Sequence, residues 1–332
     1  MRRTIADGGG PIERKVQMTG GSTYTVSIPK AWANERRIRS GSVVYLYPFE
    51  DRLVIAQAET NGARAAANID VDSVDDDALA QQIEAAYAAG TDTIVVESDT
   101  SFSPGQRRIA SRALTSLVGM QISSETERTL VGKSLLDSGE LSFDATITQL
   151  RQISLSMHED AVDAVVENRE VQATQVIDRD DDVDRLFALV CRQFYRVLGD
   201  VREVDKLETD RKTAFTAFRI ARQLERIADH AERIAEVTTR QRTAPSAETG
   251  EQFREVGIDA RRVVRAALDG NSGAALLRRD DLVEHLDAFD RDLYERGCED
   301  SYLYGRVLES IRRTAEYGGN IAEATTLDEL AR

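Results

Sequence analysis

The residues of this sequence best placed to do chemistry are carboxylates that recur one helical turn apart. Asp180 and Asp184, Glu225 and Asp229, and Asp280 and Glu284 are each spaced i, i+4, and Glu316 holds a fourth such position, whose first member is Arg312. On a helix that spacing puts both side chains on one face. Glu232 and Glu236 extend the stripe begun by Glu225 and Asp229. Clustered carboxylates repel unless a cation, protons or solvent relieve them, and an oxygen-rich cluster suits hard or borderline divalent ions. The competing reading is a solvated acidic face, which a chain of net charge −15 offers in many places. The histidines point away from an enzyme: His158, His230 and His285 have Leu155, Ile227 and Leu282 three positions before them, so the Glu-x-x-His pairs of a di-iron bundle are missing. Cys191 and Cys298 sit in apolar helical patterns without CxxC spacing and read as buried thiols.

The elements that must position these acids are helices. After Leu141 strand signals vanish, and breaks near Asn168, Gly199, Arg242, Asp269 and Gly297 delimit six helices. They repeat as three plus three. Val176 to Leu186 aligns without gaps on Leu276 to Leu286, an offset of 100, and Leu224 to Glu236 aligns on Ile311 to Glu323, an offset of 87. Ala217, Ile220, Leu224, Ile227, Ala231 and Ile234 recur at three- and four-residue steps and form the packed seam of their helix. Folding antiparallel about residue 203 brings Asp184 level with Glu225 and Asp180 level with Asp229, to within about a turn.

Ahead of the helices the texture changes twice. Residues 12–58 read as short strands (14–18, 24–28, 43–47, 52–56) around one helical turn near 31–36, too little chain for a core of its own, so pairing with a second copy is expected. Residues 66–135 alternate strand and helix as a small α+β domain, with no phosphate-cradling glycine loop and no catalytic constellation. Gly8, Gly9, Gly10 and Pro11 read as a flexible arm. From Met1 to Pro48 eight basic residues face three acids, so a head of charge +5 precedes a remainder of −20. Arg14, Lys15, Lys30, Arg36, Arg37 and Arg39 are its candidate phosphate contacts. Only five of the 43 basic residues are lysine, which with the acidity fits a proteome adapted to high internal salt. No run of about 18 apolar residues occurs, and a cytoplasmic protein is expected.

Two segments resemble known families. The string LERIADHAERIAE at Leu224 to Glu236 is similar to the signature of the PhoU family, and the likeness extends over 141–327, with repeats 141–240 and 248–327. It implies an all-helical domain of two three-helix repeats whose E/DxxxD pairs bind metal clusters of iron, zinc or another divalent ion. Asp180, Asp184, Glu225, Asp229, Asp280, Glu284 and Glu316 stand at those positions, and Arg312 departs from them. Residues 12–58 resemble the SpoVT/AbrB swapped-hairpin family through Glu13 to Val16, the Ser27-Ile28-Pro29-Lys30 step and Gly41. That likeness implies an interleaved homodimer and DNA contact through arginines, with Arg14 at one such position; the basic positions flanking the Ile-Pro step and the helix hold Thr25, Ala33 and Asn34 instead. The pairing of modules resembles archaeal PhoU-AbrB regulators. Two functions follow from it: a phosphate-responsive transcriptional regulator, or an adaptor that docks on a phosphate ABC transporter or a sensor kinase and uses its head only to dimerise.

Overall fold

The computed structural model describes residues 11–49, 52–57, 66–136, 142–297 and 300–331. The glycine arm before Pro11, the linker through Ala65, the boundary residues Ala58 and Leu141, and Cys298 lie outside the described residues. The chain divides into two units, Met1–Ala63 and Arg64–Arg332.

The first unit is two hairpins and a turn of helix. Gln17–Thr19 (β1) pairs antiparallel with Thr23–Thr25 (β2) across Gly20 and Gly21, both at positive φ, and Val44–Pro48 (β3) pairs antiparallel with Leu53–Gln57 (β4). Between them lies Lys30–Glu35 (α1), opened by Pro29. None of its described residues is buried. Val16, Met18, Tyr24, Val26, Val43 and Leu53 are all more than half exposed. An unpaired hairpin with a wet apolar face is marginal at best, so the expectation that this segment is incomplete alone is met by its packing.

The second unit opens with Ala66–Asp70 (β5), Asp76–Ala88 (α2), Thr93–Glu97 (β6), Pro104–Ser116 (α3), Met120–Glu125 (β7) and Thr129–Ser134 (β8). Sheet order is β5-β6-β8-β7, parallel between β5 and β6 and antiparallel elsewhere. Leu79, Ile83 and Tyr87 of α2 and Leu114 of α3 pack on Ile94, Val96 and Leu130 of the sheet. Ser103 caps α3 reciprocally with Gln106, and Pro104 sits in its first turn.

The helical part runs Phe143–Glu167 (α4), Glu170–Asp178 (α5), Asp180–Gly199 (α6), Val201–Lys206 (α7), Arg211–Thr238 (α8), Ala247–Leu268 (α9), Ser272–Arg296 (α10) and Ser301–Ala331 (α11). The three-plus-three plan holds, as α4, α5–α6 and α8 followed by α9, α10 and α11. Six helices become eight because the second helix of the first repeat breaks at Arg179 and because short α7 fills the connection before α8. Asp180, Asp181 and Asp182 favour a fresh helix start there, since acids are stabilised by the N-terminal end of the dipole. Of the seam positions, Ala217, Leu224, Ile227, Ala231 and Ile234 are buried and Ile220 packs at their margin. Gly318 lets α11 approach α9, where a Cβ would stand 2.8 Å from Val263 Cγ1.

The duplication shows in the contact between α8 and α11. His230 and Tyr317 occupy equivalent positions of the two repeats, and they touch each other, with His230 Nε2 3.3 Å from the Tyr317 hydroxyl and ring centroids 5.6 Å apart. Two equivalent residues can meet only where the axis relating the repeats passes between them.

The α+β part and the helices belong to one unit because α6 reaches into the turn after α2. Arg192, 3% exposed, donates to the carbonyls of Tyr87 and Thr91 and to Asp92 Oδ1 at 2.6 Å, and its guanidinium lies 4.9 Å from the Tyr87 ring centroid. Arg196 shares the same Asp92 oxygen and also pairs with Glu203 at 2.9 Å. A buried cation holding two carbonyls and a carboxylate is costly to unmake. Arg192→Ala is therefore expected to cost about 3 kcal/mol in urea unfolding; a change within experimental error would mean that this arginine does not anchor the two parts.

Candidate functional site

The first repeat gathers its acids along the α6–α8 face. Burial acts first on both Asp184 and Asp180; among neighbouring charges Asp229 acts most on Asp184, and Asp184 and Glu232 act on Asp180 ahead of Asp229 and Glu225. Burial, reinforced by these neighbours, raises the Asp180 carboxyl to about 7. Glu225, buried and facing Asp229 and Asp184, also rises to about 7, although Arg222 donates to its Oε1 at 2.9 Å and opposes the shift. Asp184, Asp229 and Glu232 are raised for the same first reason, burial. Asp180 Oδ1 and Glu225 Oε2 are buried and lack any hydrogen-bond partner.

A further carboxylate comes from outside the helical repeats. Glu84 of α2 is raised by burial and by Asp184 and Asp181. It lines, with Asp181, Asp184, Phe187 and Cys191 of α6, a groove of about 600 Å³ between the two parts of this unit. Nothing in the spacing around Glu84 marks it, since its role depends on how α2 docks on α6. Cys191 is a free buried thiol pushed up to about 11 by burial, in keeping with an inert role. Among the described residues no three His, Cys, Asp or Glu side chains stand so as to hold one ion between them. The carboxylates share a face without closing on a common point.

The second repeat has the same acids with different company. Asp280 is paired with Arg279 at 2.7 Å, Glu316 with Arg313 at 2.7 Å, and Glu284 is exposed. Arg312, in the place of Glu225, binds Asp287 at 2.5 Å. Gly319 stands where the first repeat has Glu232, and the Arg279 guanidinium lies so close over it that a Cβ there would be 2.9 Å away. Arg179, the counterpart of Arg279, instead reaches Asp160 on α4 at 2.5 Å, from the break between α5 and α6. The helix break thus clears the first acidic face of a cation, and the unbroken α10 delivers one to the second.

In the first unit Arg14, Lys15, Lys30, Arg36, Arg37 and Arg39 are all exposed, and among the described residues none is in an ion pair. Arg14 donates to its neighbour's carbonyl at Glu13, and Arg37 has a positive φ of 56° at the end of α1. Six unneutralised cations and a dry-seeking hairpin face thus coexist in one short segment.

The architecture so built is that of a duplicated three-helix-bundle protein carrying an α+β part and a small β head. Comparison with known families places both ends: residues 147–238 match the PhoU domain, and residues 17–61 match the antidote-toxin recognition MazE domain of bacterial antitoxins. The helical part is thus PhoU-like and the N-terminal segment MazE/AbrB-like. Among solved structures, PhoU from Pseudomonas aeruginosa is 18% identical, with a TM-score of 0.48 over 57% of this chain and 96% of that one. The phosphate transport system regulatory protein PhoU from Streptococcus pneumoniae is 15% identical, with a TM-score of 0.46 over 57% of this chain and 94% of that one. No curated protein sequence matches. Among the described residues no helix is long and apolar enough to cross a membrane.

The raised carboxyls carry a pH dependence of definite sign. A carboxyl whose pKa is higher folded than unfolded favours the folded state while protonated, and that contribution fades as pH climbs from its unfolded value, near 4, to about 7. Chelator-treated protein is expected to melt at progressively lower temperature between about pH 4 and about pH 7, and Asp180→Asn with Glu225→Gln to flatten that slope. Thermal melts across the range test it, and an unchanged slope in the double variant would remove these two groups as its source.

Proposed function

We propose that this chain is a phosphate-responsive regulator whose N-terminal units pair and grip DNA while the helical unit senses a signal through its first acidic face. The observation that supports the pairing is the first unit's lack of any buried residue, among those described, beside its row of exposed apolar side chains. A second copy laid over those faces would supply the missing core. Pairing also doubles the six exposed cations, Arg14, Lys15, Lys30, Arg36, Arg37 and Arg39, into a surface able to displace counterions from a duplex, while the net negative remainder of the chain repels it elsewhere. The link to phosphate rests on the match of residues 147–238 to the PhoU domain, a domain whose namesake in Streptococcus pneumoniae is a phosphate transport system regulatory protein.

The residues of the first repeat suit a divalent cation. Asp180, Asp184, Glu225 and Asp229 supply only oxygen donors, and the unpartnered Asp180 Oδ1 and Glu225 Oε2 are two of them left unsatisfied in a buried place. A bound ion would supply positive charge that offsets the mutual repulsion of these acids. Asp280, Glu284 and Glu316 are less suited, since arginines already neutralise two of them. The chain works in this reading as a binding protein, with no bond-making step assigned to any residue.

Gel shift of duplex DNA by the full-length protein tests the DNA arm. Binding should weaken steeply with salt, and Arg14→Ala with Lys15→Ala, which removes four cations from the paired heads, should lower the steepness of the log-log salt dependence by up to about 4. Absence of any shift at low salt would leave the adaptor reading, docking on a phosphate transporter or a sensor kinase, in its place.

A further inference from the structure

The two repeats differ most where the first is solid and the second is hollow. In the first, Phe187 and Phe194 of α6 stack with Phe215 and Phe218 of α8, with centroids of Phe194 and Phe218 4.9 Å apart and those of Phe187 and Phe218 6.1 Å apart. Carrying the repeat offsets of 100 and 87 along the same helices, the counterparts of these four are Asp287, Tyr294, Tyr302 and Gly305. All four line a cleft of about 1040 Å³ between α8, α10 and α11. Replacing Phe218 by a glycine opens the space. A Cβ built on Gly305 meets nothing nearer than Asp290 Oδ1 at 3.8 Å, so its missing side chain would project into room rather than into the core.

The walls of the cleft are as informative as its volume. Tyr294 and Tyr302 are 84% and 75% exposed, whereas Phe194, counterpart of Tyr294, is buried. Arg233, Arg291 and Arg306 also line it, and among the described residues none of the three is in an ion pair. The acids at the rim are partly spent: Asp287 is bound by Arg312, and Glu309 by Arg313 at 3.0 Å. Only Asp290 remains unpaired among the described residues. His230 lies at the inner wall, 8% exposed, with Nε2 3.1 Å from Arg233 Nη1. An imidazole that accepts from a guanidinium at Nε2 carries its proton on Nδ1, and that buried Nδ1 has no partner. A buried donor without an acceptor, three guanidiniums outside any ion pair among the described residues, and two uncovered aromatic rings in a cleft of ligand size form one constellation.

We propose that this cleft binds a small organic anion carrying a planar ring, of the nucleotide class, with its phosphate on Arg233, Arg291 and Arg306 and its ring against Tyr294 and Tyr302. Guanidiniums match phosphate oxygens in geometry and charge, and tyrosine faces hold a flat ring through apolar contact and stacking. The site is separate from the acidic face of the first repeat and needs neither metal nor DNA. It places a second input on the repeat whose own acidic face is closed by arginines.

Calorimetric titration of the full-length protein with AMP, ADP and ATP, in chelator, tests the assignment, with inorganic phosphate as the ring-free control. At least one nucleotide should bind, and more tightly than phosphate. Gly305→Phe, which restores the filled form of the first repeat, should weaken binding by about tenfold or more while leaving the melting temperature within a few degrees. Arg306→Gln, a half-exposed change that removes one guanidinium, should weaken it similarly and serves if the phenylalanine disturbs folding. No binding at millimolar nucleotide, equal affinity for inorganic phosphate, or unchanged affinity in Arg306→Gln would each overturn the proposal.

Discussion

The antiparallel contact between α8 and α11 is the constraint on which the helical unit depends. Its centre is the meeting of His230 with Tyr317, equivalent residues of the two repeats. Once that contact is set, every feature of one repeat has a counterpart at a known place in the other, and differences between them become meaningful. Packing fixes the axis; side-chain substitution on either side of it sets what each repeat can do. The same α8 supplies the seam of buried aliphatic residues, the acids Glu225, Asp229 and Glu232, and the imidazole at the wall of the second repeat's cleft.

The repeats have diverged by small means. A helix break at Arg179 sends one arginine to Asp160, and the absence of a break leaves Arg279 over Gly319. One phenylalanine-to-glycine difference, Phe218 against Gly305, separates a solid aromatic cluster from an open cleft. The α+β part lies on the first repeat through α6, above all through Arg192, and in doing so it brings Glu84 to the edge of the acids. Asp292 stands in the second repeat where Arg192 stands in the first, so α10 has no such cation to offer.

Much of this was legible in the residues. Periodicity located the strands and helices to within a few positions, and the gapless alignments revealed the duplication, because both signals are local and additive along a helix. The i, i+4 acids were legible for the same reason. What stayed hidden was set by long-range packing. The break at Arg179 lies in a string that aligns with an unbroken helix. Glu84 and the pairing of Arg312 with Asp287 join residues far apart in sequence. The hollow at Gly305 lies six positions before the aligned stretch begins at Ile311, and a glycine in a helix reads as a weak helix former until its surroundings show what is absent.

The first unit, with none of its described residues buried, has a consequence beyond recognition. A segment that can complete a core only by joining another copy has its order governed by mass action. Dilute chains would carry a sticky, protease-accessible head, whereas abundant chains would hide theirs. Under the pairing proposed above, the ordered fraction of heads would rise with the amount of chain gradually, over a broad range of concentration, as a two-body equilibrium does.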